Sequence, residues 1–335
     1  MASIRKALKN IASGNKLRRL RPPNTSSDDS ATDPDLISLP NAIPKQYPPL
    51  ILVHVILLSA ALVLLPQTPI PNLPLPPPAR GLDKPQLPFL VPITARPVLT
   101  LVWACLGAVL LVPWWAGSLR RWAHDGSLGP RSVQLRLAGD PHIRRDIWNA
   151  YVFTAYAALA LHVVIVLFGA PFIDYVPHTA LLALLIAFYA VFPPAYVLGP
   201  PRLGLPLLSA STGDAVVQND HWVRIFAERD ARKPHERALL YPTYGALLGT
   251  WIGVIPIGLD WDRPWQAYPL TPAAGGSLGY IIGALLALGV NILLFFADAD
   301  RIDSSGSTSV PVKSGIKNKK RTEGKQTKKL STKEE

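Results

Sequence analysis

The chain has 335 residues, 49% of them hydrophobic and only 17% charged, with a formal net charge of +12 and a single cysteine. That balance fits a multi-spanning membrane protein better than a soluble domain. Charge is crowded into the ends and a few loops, which argues against a nucleic-acid partner, and Cys105, alone in an apolar run, allows no intramolecular disulfide.

Residues 1–46 read as a basic, disordered tail that faces the cytoplasm. No apolar run follows the basic start closely enough for a cleavable signal. Ile4, Leu8 and Ile11 share helical spacing among Arg5, Lys6 and Lys9, which leaves a membrane-surface helix open. The first acidic residue is Asp28, so a mitochondrial presequence is a rival reading.

Residues 47–297 read as an all-α, polytopic transmembrane domain of six helices, with spans at about 50–65, 98–115, 148–168, 178–198, 238–259 and 275–297. Crossing the hydrocarbon zone takes about 20 helical residues. The first span, between Pro49 and Pro66, is short: either it borrows Tyr47 and Pro48 at its edge or it lies in a thinner local bilayer. Between the first two spans, residues 66–97 hold 11 prolines and read as an extended loop. Pro193 and Pro194 should kink the fourth span near its end, and Pro256 should bend the fifth. Residues 298–335 read as a second basic, disordered tail.

Lysine and arginine fix the orientation. With six spans, 30 of the 34 basic residues fall on the face that carries both termini and 4 on the other. The positive-inside rule makes the rich face cytoplasmic, so both termini are expected there.

Two tandem sets of glycines stand at four-residue spacing: Gly245, Gly249 and Gly253 in the fifth span, and Gly275, Gly279 and Gly283 in the sixth. Small residues so spaced let helix backbones approach closely in lipid. Either the two faces pack on each other, or one of them receives a helix from a partner. Leucine on either face should hold two backbones apart, with alanine milder.

The chain is poor in chemistry. The polar side chains inside spans include His54, Asn149, His162 and Asn291, and His54 is expected to be wet. No Cys/His cluster has metal-site spacing, and no nucleophile elbow or phosphate-binding loop occurs. No catalytic, cofactor-binding or metal-binding residue is therefore assigned. What stands out is Asp260, Trp261, Asp262, Arg263, Pro264, Trp265 and Gln266, a charged and aromatic knot between two apolar spans. Two carboxylates and an arginine can in principle handle Mg²⁺ or phosphate. The simpler reading pairs Asp with Arg, anchors the tryptophans at the surface, and uses the seven residues as a docking surface for a partner or lipid.

With its flanks Gly253–Ile257 and Gly275–Tyr280, this knot resembles the signature of the Pig-F family. The likeness runs over roughly residues 178–290. It includes Leu181–Leu185, Val197-Leu198-Gly199-Pro200 and Trp222–Phe226, is densest from Gly245 to Gln266, and ends at Gly279-Tyr280. The resemblance implies a multi-pass protein of the endoplasmic reticulum membrane that acts in glycosylphosphatidylinositol (GPI) anchor biosynthesis. It implies a non-catalytic subunit that binds and stabilises large ethanolamine phosphate transferases with lumenal catalytic domains. Those enzymes add phosphoethanolamine to mannose of the GPI precursor. Contact with the precursor or with phosphatidylethanolamine stays open, as do two other classes. One is a transporter or scramblase; the other is a lipid enzyme working through Asp260, Asp262 or Arg263.

Overall fold

The computed structural model describes residues 41–68, 87–128, 142–203 and 215–307. Residues 69–86 of the proline-rich stretch and most of both tails lie outside the described residues; the end of that stretch is not extended but forms a 3₁₀ turn, Pro88–Leu90, and a short helix, Val91–Ala95, each opened by a proline. The described residues are all-helical, with no strand among them. The helices are α1 (Tyr47–Leu64), α2 (Val91–Ala95), α3 (Pro97–Leu128), α4 (Ile143–Leu167), α5 (Val176–Ala190), α6 (Phe192–Leu198), α7 (Ala215–Trp222), α8 (Pro234–Val254) and α9 (Leu270–Ser307).

Six helical stretches are long and apolar enough to cross a membrane: Tyr47–Gln67, Pro97–His124, Ile143–Leu167, Val176–Leu198, Pro234–Gly258 and Leu270–Arg301. The first does begin at Tyr47, where Pro48 and Pro49 fill first-turn positions whose N–H groups have no helical partner. The fourth span breaks at Val191 into α5 and α6, with Pro193 and Pro194 opening the second piece. Pro256 likewise ends α8 in a 3₁₀ turn at Ile255–Gly258. The long α9 continues past the apolar stretch to Ser307.

The span α5–α6 is the most buried and packs on α3, α4 and α8. Ala108, Val112, Leu182, Leu185, Phe188 and Phe192 form the middle of the bundle. Lipid is as apolar as these side chains, so interdigitation and satisfied polar groups hold the bundle rather than exclusion from water. Two of the buried polar contacts tie α9 to α1 and α5. His54 of α1 meets the Tyr280 hydroxyl of α9 at 3.1 Å, and Tyr189 of α5 shares a hydrogen bond with Ser277 of α9 at 3.2 Å. The Tyr189 and Tyr280 rings stack at 4.8 Å. His54 is fully buried against Trp115 rather than wet, because α1 is covered there by both α3 and α9.

Helices α8 and α9 form an antiparallel hairpin whose glycine faces are pressed together. A Cβ at Gly245 would overlap the Gly279 carbonyl, one at Gly249 the Gly275 carbonyl, and one at Gly283 the Tyr241 carbonyl. A Cβ at Gly253 would strike the Thr271 carbonyl. Neither face is left open to a partner helix. The obstacle is backbone, which cannot rotate aside, so even alanine carries a cost here, though a smaller one than leucine.

The chain flanks meet on one face. Asn41 Nδ2 donates to Asp298 Oδ2 at 2.7 Å, joining the residues before α1 to the last turns of α9. This is the terminal face; the turn between α8 and α9 lies on the opposite face.

Candidate functional site

The knot at residues 259–266 is a built loop. Trp261 N–H donates back to the Leu259 carbonyl at 2.9 Å. Asp262 then adopts the left-handed region at φ 47°, which short polar side chains tolerate best. Pro264–Gln266 closes the loop as a 3₁₀ turn.

Gln266 holds this shape from inside. Its Oε1 accepts from the Arg263 N–H at 2.8 Å, while Nε2 donates to the carbonyls of Pro256 at 2.6 Å and Leu259 at 2.8 Å. One amide therefore ties together three segments of the loop. Tyr268 fixes the whole to the bundle: its hydroxyl pairs with Thr179 of α5 at 2.9 Å, and its ring meets Tyr175 edge-on at 6.1 Å. Burial raises the Tyr268 pKa above its ordinary 10.0, with the Thr179 hydrogen bond opposing.

Asp260 and Asp262 are exposed on this frame, as is Trp261 at 47% relative accessibility. Trp265 is half-buried and lies 5.8 Å from Trp261, ring to ring. Asp260, Asp262 and Arg263 form no ion pair with one another; the turn aims the carboxylates outward and Gln266 takes up the Arg263 backbone instead. Among the described residues no three His, Cys, Asp or Glu side chains gather as a metal site. Chemically, the loop offers a display of two exposed carboxylates and an exposed indole, with a half-buried arginine between them and Trp265.

A second polar cluster, on the terminal face, was not read from the sequence. Glu236 of α8 pairs with Arg224 at 2.6 Å and accepts from the backbone N–H groups of Arg232 and Lys233. That bond raises the Arg224 pKa, chiefly through the hydrogen bond to the Glu236 carboxylate. Arg237 is buried: Nε donates to Asn291 of α9 at 2.7 Å, and its other nitrogens reach the Arg232 carbonyl at 3.0 Å and Asn41. Asn291 donates onward to the Pro234 carbonyl at 3.0 Å. The signal was Asn291 itself, since an amide deep in an apolar run needs a partner. Arg224 stands in a π-helical turn, Val223–Ala227, whose geometry carries its side chain to Glu236.

A family model described as "GPI biosynthesis protein family Pig-F" matches residues 88–288. A protein of Pyricularia oryzae called "Glycosylphosphatidylinositol anchor biosynthesis protein 11" is 32% identical over 190 residues, 56% of this chain and 61% of that protein. The human "GPI ethanolamine phosphate transferase, stabilizing subunit" is 29% identical over 136 residues, 41% of this chain and 54% of its own length. A Candida albicans protein with the same name as the first is 37% identical over 134 residues, 40% of this chain and 44% of that protein. The chain thus matches about half of each of these curated relatives. No solved structure matches it.

Proposed function

This chain belongs to the GPI biosynthesis protein family Pig-F, and from that premise we propose that it is a non-catalytic membrane subunit that stabilises ethanolamine phosphate transferases. In this reading it resides in the endoplasmic reticulum membrane with both termini cytoplasmic, so that the 259–266 loop faces the lumen. The human relative is named as the stabilizing subunit of such a transferase. The observation that carries the proposal to this chain is the Gln266-stapled loop, which holds Trp261, Asp260 and Asp262 exposed on a fixed frame. A catalytic centre excludes water and encloses its substrate. A docking surface presents a rigid aromatic anchor with charges at its rim.

Within the proposal, Asp260, Trp261, Asp262, Arg263 and Trp265 contact the partner, while Gln266 and Pro264 shape the loop. The glycine faces of α8 and α9 keep the two ends of that loop at a fixed separation. Depleting the protein and profiling GPI precursors tests the function. Loss of transferase abundance, with accumulation of precursors lacking a phosphoethanolamine, supports it. A stall at the first glucosamine steps overturns it.

A further inference from the structure

On the terminal face, a cavity of about 270 Å³ opens between the first turn of α1 and the last third of α3. Its walls are aromatic: Tyr47 lies 5.8 Å from Trp115 and 4.7 Å from Trp122, ring to ring. Its polar groups are Gln46, Ser118 and Arg121. The two neighbouring arginines of α3 are employed differently. Arg120 turns into the bundle, pairing with Asp146 at 2.6 Å and donating to the Tyr196 carbonyl at 2.9 Å. Arg121 touches only the Ser118 hydroxyl, at 3.1 Å, and has no carboxylate partner among the described residues. Lys45, next to Gln46 in the chain, is exposed.

Beneath the cavity runs an apolar track. Val53 and Leu57 follow Leu50 on one side of α1 at helical spacing, and Trp114 and Leu110 precede Ser118 at four-residue steps on α3. All four are exposed, Leu110 at 71%. Indole rings favour the headgroup zone, which sets the cavity and Trp114 beside it at that depth, and Leu57 and Leu110, a turn further along each helix, in the acyl zone.

We propose that this cavity binds the headgroup of an anionic phospholipid, with its phosphodiester on Arg121, Ser118 and Gln46 and its acyl chains along the track. An arginine meets phosphate oxygens with paired, directed N–H groups. The lining carries a cation and no carboxylate, so net charge selects a net-negative lipid over a zwitterionic one. The apolar track separates a lipid from a soluble phosphate ester, which would make no use of it.

The test uses the full chain in phosphatidylcholine nanodiscs containing phosphatidylserine, with retained lipid counted by native mass spectrometry. Phosphatidylserine should be enriched over phosphatidylcholine. Arg121→Gln should reduce that retention about tenfold, the effect of one charge-assisted hydrogen bond, and Arg121→Lys should restore part of it. Ser118→Leu, which fills the cavity without changing charge, should abolish retention, and it stands in for Arg121→Gln if that variant does not fold. Arg232→Gln, at an exposed arginine paired with Asp230, should change nothing. Equal retention of the two lipids, or undiminished retention in both Arg121→Gln and Ser118→Leu, overturns the proposal. Displacement of phosphatidylserine by soluble glycerophosphoserine at equal concentration also overturns it, in favour of a soluble phosphate ester.

Discussion

Gly249 and Gly275 face each other across the α8–α9 hairpin so closely that a Cβ on either would overlap the other's backbone carbonyl. The same Cβ on Gly249 would stand 3.0 Å from the Gly279 Cα. Relief requires the helices to separate, since no side chain is available to move. Gly249→Ala should therefore lower stability by about 1–3 kcal/mol, the usual cost of forced overpacking, and Gly249→Leu should prevent assembly of the hairpin. Gly289→Ala, where nothing lies within 4 Å, is the control and should be neutral or slightly stabilising. Thermal unfolding in detergent reads the difference, and a normal Gly249→Leu protein would mean the faces do not pack.

The Arg237–Asn291 bond ties α8 to α9 at the terminal end. Asn291→Leu leaves the buried guanidinium one acceptor short and the Pro234 carbonyl one donor short. A loss of about 1–3 kcal/mol is expected from orphaned buried polar groups, with the unfolding midpoint as the measurement. Arg232→Gln serves again as the control, because its side chain is exposed.

Tyr268→Phe should free the loop from α5 at a cost of about 1 kcal/mol, one neutral hydrogen bond. Hydrogen exchange over 259–266 would rise while the spans stayed protected. Burial raises the folded-state pKa of Tyr268 above 10.0, so the neutral form is favoured in the fold. Its contribution is complete below the unfolded value of 10.0 and is lost as pH climbs through the raised folded value. Loop protection should thus fall in strong alkali in the native chain, and that pH dependence should be absent from Tyr268→Phe.

Topology is tested with glycosylation acceptors. Sites inserted near Pro76 and at Asp260 should be modified, and sites near Asp125, Asp214 and Ser314 should not. The motive is the sequence expectation that, with six spans, 30 of 34 basic residues belong to segments on the side of the termini. Modification near Asp214 would invert the orientation.

The six spans were readable from hydropathy, because a run of about 20 apolar residues has few other uses. Their ends were less so. Read from apolarity, the fifth span begins at Ala238, yet α8 starts at Pro234. Glu236 and Arg237 look like loop residues in sequence, and are buried only because Arg224 and Asn291 arrive from elsewhere to pair with them. The glycine spacing marked two smooth faces; which surfaces they met depended on the hairpin's rotation. In the 259–266 loop the residue types were conspicuous, whereas the division of labour was not. Gln266 reads as one more exposed polar residue, and its three hydrogen bonds exist only once the chain has turned at Asp262.

The most direct test of the proposed docking role is co-purification of the transferase together with its activity, measured on Trp261→Ala and Asp262→Asn. Asparagine is as tolerant of the left-handed backbone as aspartate, so Asp262→Asn removes charge without straining the turn. Docking predicts that Trp261→Ala loses an aromatic anchor worth about 2 kcal/mol and co-purifies poorly, while Asp262→Asn keeps most of both partner and activity. A fully assembled Asp262→Asn complex without phosphoethanolamine transfer would contradict it, because the carboxylate would then be part of the chemistry.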